Sequence, residues 1–153
     1  MSLSHPLVVR TQMLIRRPVA EVFRAFVDPE VTTKFWFTRA SGALGPGASV
    51  TWYWDMYGVS GTAEVKEFEP DRRLLIHWPT PVEWNFEPRG DAAALVIITA
   101  SGFTGGEDEQ VAAALDSMGG FGFVLAGCKA WLEHGVRLNL VADRHPDHPV
   151  AGT

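Results

Sequence analysis

The sequence has little cysteine, little positive charge and no long apolar run. Cys128 is the one cysteine in 153 residues, so no intrachain disulfide can form, and a reducing cytoplasm is the expected location. The net charge of −5 argues against nucleic acid as a partner, because phosphate binding needs a surplus of Lys and Arg. No stretch approaches the ~18–20 apolar residues of a membrane span. The opening MSLSHPLVV also lacks the apolar run of a signal peptide.

Tryptophan, in contrast, is abundant. Hydrophobic residues make up 46% of the chain and charged residues 20%, which predicts one globular soluble domain over 1–153, with an ordered core at about 7–142 and a polar tail at 143–153. Dispersed aromatic residues that converge in space are what a large apolar core or cavity needs. The six tryptophans lie at positions 36, 52, 54, 78, 84 and 131.

The first part of the chain predicts a strand followed by two short helices. Residues 7–16 alternate as a strand does, and 18–27 carry apolar residues at helical spacing after Pro18. Asp28 then resembles an N-cap, with Pro29 at the first helical position. This second helix is expected to end near 35–37, before a Gly/Pro-rich loop at 41–49.

The stretch VTWYWDMY at 50–57 predicts a strand that carries large side chains on both of its faces. Asp55 lies on the tyrosine side, which favours the tryptophan side as the inner one, although alternation alone leaves both open. The first face holds Val50, Trp52, Trp54 and Met56, and the second holds Thr51, Tyr53, Asp55 and Tyr57.

Further strands are predicted at 59–68, 74–78, 82–87 and 93–100. Pro79 and Pro81 are expected to break the chain between the second and third of these. On the apolar face of 59–65 the residues are small, Gly61 and Ala63 among them, which leaves room inside the sheet.

The C-terminal part is predicted to be helical. Val111, Ala112, Leu115 and Met118 share one face of a helix over 107–118, and Gly119, Gly120 and Gly122 are expected to kink or split it. A second apolar stripe runs through 121, 124, 125, 128, 132 and 136.

Together these elements predict an α+β fold, in which a curved antiparallel sheet wraps around a long C-terminal helix, with two short helices after the first strand. The only partner for the helix stripe is the concave face of the sheet. A strongly curved sheet cannot fill all the space against one helix, so a cavity between them is expected.

Six segments follow the order seen in a known family: 16–30, 35–37, the Gly-rich 42–52, 60–78, 94–103 and 127–135. The sequence resembles the helix-grip fold of the START/SRPBCC superfamily, in the branch named for the activator of heat-shock-protein-90 ATPase. The resemblance implies a deep apolar cavity that many members use to hold hydrophobic small molecules. Ala100 stands where many relatives have a polar residue, which removes one polar group from the expected cavity.

The candidate ligand-binding residues are aromatic or lie on the helix stripe. Packing between sheet and helix is an equally good interpretation of them. They are Trp36, Trp52, Trp54, Trp78, Trp84, Phe86, Phe121, Leu125 and Cys128.

Other polar candidates have less support. His77 could be an acid/base group but alternates onto the outer face of its strand. Cys128 is more typical of a buried thiol than of a nucleophile. His145 and His148 have a spacing that a metal could use, but on a polar tail. No cofactor, metal or catalytic motif is predicted.

Three functions remain open. The first is binding of a hydrophobic or aromatic small molecule. The second is a cyclase- or dehydratase-like reaction on that molecule, and the third is a co-chaperone-like role in binding a protein partner. A homodimer is compatible with all three.

Overall fold

The computed structural model describes residues 5–147 and contains seven strands and four helices in that range. The elements in chain order are β1 Val9–Ile15, α1 Val19–Val27, α2 Pro29–Thr32, β2 Arg39–Ala40, β3 Ser49–Trp54, β4 Val59–Glu69, β5 Arg73–Trp78, β6 Thr80–Pro88, β7 Ala94–Ala100, α3 Glu107–His134 and α4 Leu140–Arg144.

The strands form one antiparallel sheet in the order β1-β7-β6-β5-β4-β3-β2. β3 to β7 are successive hairpins, while β1 returns from the start of the chain to pair with β7, with Val9 opposite Ala100. The sheet is curved and unclosed, with β1 and β2 at its edges. The predicted α+β, helix-grip architecture is confirmed.

The two short helices after β1 begin as their sequence predicts, but α2 ends at Thr32, before the predicted end near 35–37. The Asp28 carboxylate accepts a hydrogen bond from the Glu30 N–H at 3.0 Å, and Pro29 occupies the first helical position of α2. α1 buries Phe23 and Phe26, and the Phe23 ring meets Phe86 of β6 edge-on at 5.1 Å. This contact closes one end of the space between the sheet and the helices.

α3 is one continuous helix of 28 residues, so of the predicted kink or split at Gly119–Gly122 the split is wrong. It ends at Gly135, whose φ of 66° is the left-handed conformation of a helix stop. The predicted stripe is buried from Phe121 to Cys128. At the far end, Lys129 Nζ donates to the Leu14 carbonyl oxygen at 2.8 Å, which ties α3 to the end of β1.

The first part of α3 does not bury its apolar side chains. Val111, Leu115 and Met118 are 37, 67 and 45% exposed, so this face of α3 points to solvent and not to the sheet. Ala112 is exposed too. The buried residues of α3 begin only at Phe121, in the second half of the helix.

The sequence was expected to hold no segment apolar enough to span a membrane. By length and composition alone, α3 contradicts this expectation. α3 contains an 18-residue window with a mean hydropathy of 1.5. Valine, leucine, phenylalanine and alanine side chains and a low density of charges produce this value. The second half of α3 packs against the sheet and 28% of the window is buried, and the core helix of a soluble protein meets the same test.

Two strand boundaries and the tail differ from prediction. β3 ends at Trp54, so Met56 and Tyr57 lie in a turn. Pro81 does not break the chain but lies inside β6 opposite His77, near the strand's beginning, where the missing N–H is tolerated. The tail predicted over 143–153 begins inside α4, and 148–153 lie outside the described residues.

Candidate functional site

Five tryptophans converge on the inner face of the sheet. Trp36, in the turn after α2, is their common neighbour, with its ring 4.9 Å from Trp52 and 5.6 Å from Trp78. Its ring also lies 6.3 Å from Trp54 and 6.1 Å from Trp84. The predicted inward orientation of Trp52 and Trp54 is confirmed, since both are almost fully buried. The aromatic residues dispersed along the chain therefore form one continuous cluster.

Beside this cluster lies a partly open cavity of about 410 Å³ between β3–β5, α3 and the α4 segment. Its inner wall is aromatic, and its outer wall is mixed in polarity. The lining residues are Trp36, Trp54, Tyr57, Val59, Ser60, Trp78, Asp116, Ser117, Gly120, Phe121, Phe123, Val124, Val141, Arg144 and His145.

The structure divides the sequence-predicted site residues into two groups. Trp36, Trp54, Trp78 and Phe121 line the cavity. The other five are fully or almost fully buried in the core and do not line it: Trp52, Trp84, Phe86, Leu125 and Cys128.

The residues of the second group pack against other side chains of the protein. Trp52 stacks on Phe37 with ring centres 5.0 Å apart. Trp84 contacts the rings of Phe26 and Phe121 at 6.0 Å. Its indole N–H has no hydrogen-bond acceptor within the described part of the chain. These side chains support the aromatic wall from behind.

The inner wall depends on a glycine in β4. Trp54 and Trp78 are stacked with ring centres 5.3 Å apart and an interplanar angle of 19°. A Cβ at Gly61 would lie 2.6 Å from Nε1 of Trp78. The small residues of β4 were expected to leave empty space inside the sheet. At Gly61 the indole of Trp78 fills that space.

The outer wall comes from a segment that the sequence did not single out. The Tyr57 hydroxyl donates to the Val141 carbonyl oxygen and lies 3.3 Å from that of Ala142. These contacts hold α4 across the cavity. The only sequence signal was the apolar pair Leu140–Val141 ahead of the polar tail, and it gives no indication of where the pair docks.

Arg144 completes this wall. Its Nη2 donates to the Asp116 carboxylate at 3.1 Å, and its guanidinium lies 5.6 Å from the centre of the Phe123 ring. A Cβ at Gly119 would lie 2.9 Å from Nη2, and one at Gly120 would lie 3.1 Å from Nη1. The glycines of α3 are thus the surface on which the guanidinium rests.

The remaining polar candidates lie apart from the inner wall. His77 is half buried on the face opposite Ile76, in a shallow depression with Glu64 and Thr62. Burial raises the pKa of the Cys128 thiol well above its ordinary value. Within 5–147, no three metal-ligating side chains lie together. His145 lines the cavity, while His148 lies outside the described residues.

The sequence profile of the family described as activator of Hsp90 ATPase homolog 1-like protein matches residues 16–130, more than half of the chain. The chain belongs to this family. The expected membership of the START/SRPBCC superfamily is thereby confirmed. A comparison with curated protein sequences gives no significant match.

Solved structures share the family fold over most of the chain. SSP2350 from Staphylococcus saprophyticus is 26% identical, with a TM-score of 0.76 over 86% of this chain and 96% of its own. The Aha1 dimer of Colwellia psychrerythraea is 16% identical, with a TM-score of 0.70 over 84% and 98%. DynU16, a protein of the dynemicin biosynthetic locus, is 21% identical, with a TM-score of 0.67 over 85% of this chain and only 48% of its own. The chain thus spans about half of DynU16.

Proposed function

We propose that this protein binds an apolar, aromatic-bearing small molecule in the cavity between the sheet, α3 and α4. The observation that carries the proposal is the cavity itself, about 410 Å³ in volume, with three indoles and Phe121 in its lining. Burial of ligand surface there contributes about 25 cal/mol per Å² of apolar area. Flat ring faces also favour aromatic ligands, since stacked and edge-on ring pairs are attractive beyond their buried area.

Membership of the family supports the proposal without fixing the ligand. Members of this fold often bind hydrophobic molecules. DynU16 comes from a biosynthetic locus, which is compatible with a small-molecule ligand for the fold. The reducing cytoplasm remains our proposed location, and a homodimer stays a prediction that the dimeric Colwellia neighbour supports and sedimentation can test.

Calorimetry and thermal denaturation with naphthalene-2-carboxamide, a neutral aromatic probe, test the proposal. We expect heat of binding and a raised melting temperature for the wild type, because a ligand that binds only the folded state stabilises it. Ser117→Trp fills the cavity from α3 and should abolish both signals. Leu115→Trp is the matched control on the same helix, 67% exposed and outside the lining, and should retain them. Absence of any signal in the wild type, with this probe and with its carboxylate analogue, would refute the proposal.

A reaction on the bound molecule has less support. The ionisable groups that line the cavity are Tyr57, Asp116, Arg144 and His145; Asp116 and Arg144 are hydrogen-bonded to each other at the outer wall, and the Tyr57 hydroxyl donates to the Val141 carbonyl oxygen. The inner wall offers indoles and a phenyl ring. Positioning by shape is therefore better supported than acid/base chemistry.

A co-chaperone role is the second candidate, and one observation favours it. Val111, Leu115 and Met118 are exposed at helical spacing on one face of α3, as expected of a protein-binding patch. The ATPase rate of an Hsp90-class chaperone should then rise with the wild type and fall back with Leu115→Asp. Ala113→Asp, on another face of the helix, is the control. No stimulation by the wild type would exclude this role.

A further inference from the structure

One cation of the cavity wall has more hydrogen-bonding capacity than the protein uses. Among the described residues that line the cavity, Arg144 is the only one with a permanent positive charge. Its side chain is 25% exposed, so the guanidinium is largely withdrawn from solvent. An arginine in such a position needs hydrogen-bond acceptors, because loss of water around a charge is costly.

The protein partner of Arg144 is a weak one. Asp116 is 75% exposed and meets the guanidinium through a single contact, from Oδ1 to Nη2 at 3.1 Å. An arginine side chain has five N–H donors and favours two parallel bonds to one carboxylate. Within residues 5–147, no second hydrogen bond of the Arg144 side chain is present.

Contacts on two sides restrict where the guanidinium lies. Its Nη2 and Nη1 lie 2.9 and 3.1 Å from where a Cβ at Gly119 and Gly120 would stand, and the Phe123 ring is on another side. α4 itself is anchored by the Tyr57 hydroxyl. A pre-positioned cation binds an anion at a lower entropic cost than a mobile one does.

We propose that the ligand of this cavity is an aromatic carboxylate, whose ring lies against the indole wall and whose anionic group binds Arg144 in competition with Asp116. This inference rests on the proposed ligand-binding function and names the class of its ligand. The inner wall and the guanidinium line the same cavity, so one small molecule can reach both. Asp116, being exposed, can turn into solvent when a ligand carboxylate replaces it.

A matched pair of probes tests the charge alone. Naphthalene-2-carboxylate and naphthalene-2-carboxamide share ring and shape, and near pH 7 only the first is ionised. By calorimetry we expect the wild type to bind the carboxylate at least about tenfold more tightly, as charge-assisted hydrogen bonds to a guanidinium require. Arg144→Gln should reduce this preference to about one, by weakening carboxylate binding much more than amide binding.

Asp116→Asn provides a test of opposite sign. It removes the competing carboxylate, so it should tighten naphthalene-2-carboxylate binding several-fold and raise the preference for the carboxylate over the amide. Arg89→Gln makes the same charge change as Arg144→Gln at an exposed turn residue, 50% exposed and paired with Glu87, and should change neither affinity.

The outcomes separate this inference from the function on which it rests. Equal affinities for the two probes in the wild type, or an unchanged preference in Arg144→Gln, would overturn the aromatic carboxylate while leaving aromatic binding intact. If the wild type binds neither probe, both the ligand class and the proposed function are refuted.

Discussion

Gly61 of β4 lies against the indole of Trp78 so closely that a Cβ there would stand 2.6 Å from Nε1. Trp78 stacks on Trp54, and these two indoles form part of the inner wall of the cavity. A single missing side chain in one strand therefore fixes the position of an aromatic side chain from the neighbouring strand. The shape of the candidate site is determined by this contact as much as by the tryptophans themselves.

Gly61→Ala should therefore disturb both stability and the cavity. We expect a loss of about 1–3 kcal/mol in the free energy of unfolding, the usual cost of overpacking, together with weaker binding of naphthalene-2-carboxamide. Urea denaturation followed by tryptophan fluorescence measures the first, and calorimetry the second. Gly45→Ala is the control, since a Cβ at Gly45 meets nothing within 4 Å. A Gly61→Ala protein as stable as that control would show that Trp78 moves aside freely.

Two glycines of α3 should respond in opposite directions to the same substitution. A Cβ at Gly127 would lie 3.1 Å from Cβ of Phe35 and 3.3 Å from its carbonyl oxygen, whereas one at Gly122 meets nothing within 4 Å. Gly127→Ala should lower the free energy of unfolding by about 1–3 kcal/mol. Gly122→Ala should raise it by about 0.5–1 kcal/mol, because alanine is the better helix former. Urea denaturation of both variants under the same conditions measures the difference, and changes of equal sign would contradict it.

Most of the fold was predictable because local patterns determine most of its elements. Alternation located β1 and β4, and the Asp28–Pro29 pair located the beginning of α2. The continuity of α3 was not predictable from its glycines. The guanidinium of Arg144 occupies the space beside Gly119 and Gly120, and this contact joins residues far apart in sequence. Local propensity alone would break the helix there, and tertiary packing overrides it.

The candidate site was predictable only in part, for a similar reason. Alternation identified which strand residues point inward. Whether such a residue lines the cavity or packs in the core depends on whether other side chains of the protein lie against it. Trp54 faces the cavity and Trp52 faces the rings of Trp36 and Phe37. No sequence pattern distinguishes these two tryptophans. The outer wall depends on Tyr57 holding α4, a link between residues 84 positions apart.

The thiol of Cys128 should be unreactive in the folded protein. Its side chain is fully buried, and burial raises the pKa of the thiol, so little thiolate is available as a nucleophile. We expect no labelling by a thiol-specific reagent such as 5,5′-dithiobis(2-nitrobenzoate) in native buffer, and complete labelling in urea. Ser117→Cys places a second thiol on the cavity wall and should label at once, as a positive control. Rapid labelling of the native wild type would contradict the packing around α3.

The carboxylate of Glu133 should make stability depend on pH. Its side chain is only 11% exposed, and this burial opposes ionisation, but the Arg16 N–H at 2.8 Å and Lys129 Nζ at 2.6 Å outweigh it and hold the pKa of Glu133 below its ordinary value of 4.5. A folded-state pKa below the unfolded one stabilises the protein above about pH 4.5, and this contribution is lost as the pH falls through the lower, folded-state value.

Glu133→Gln should therefore be less stable than the wild type near neutral pH, by roughly 1–3 kcal/mol, since a charged acceptor of two hydrogen bonds is replaced by a neutral one. The difference between the two proteins should shrink as the pH falls below the ordinary glutamate value, because the wild-type carboxyl then takes up its proton. Urea denaturation of both proteins at a series of pH values measures it. Glu64→Gln, at an ion pair whose glutamate is 54% exposed, is the matched control and should cost less than about 1 kcal/mol. A difference for Glu133→Gln that stays constant through the acid range would mean that the charge at this position does not stabilise the junction of α3 with β1.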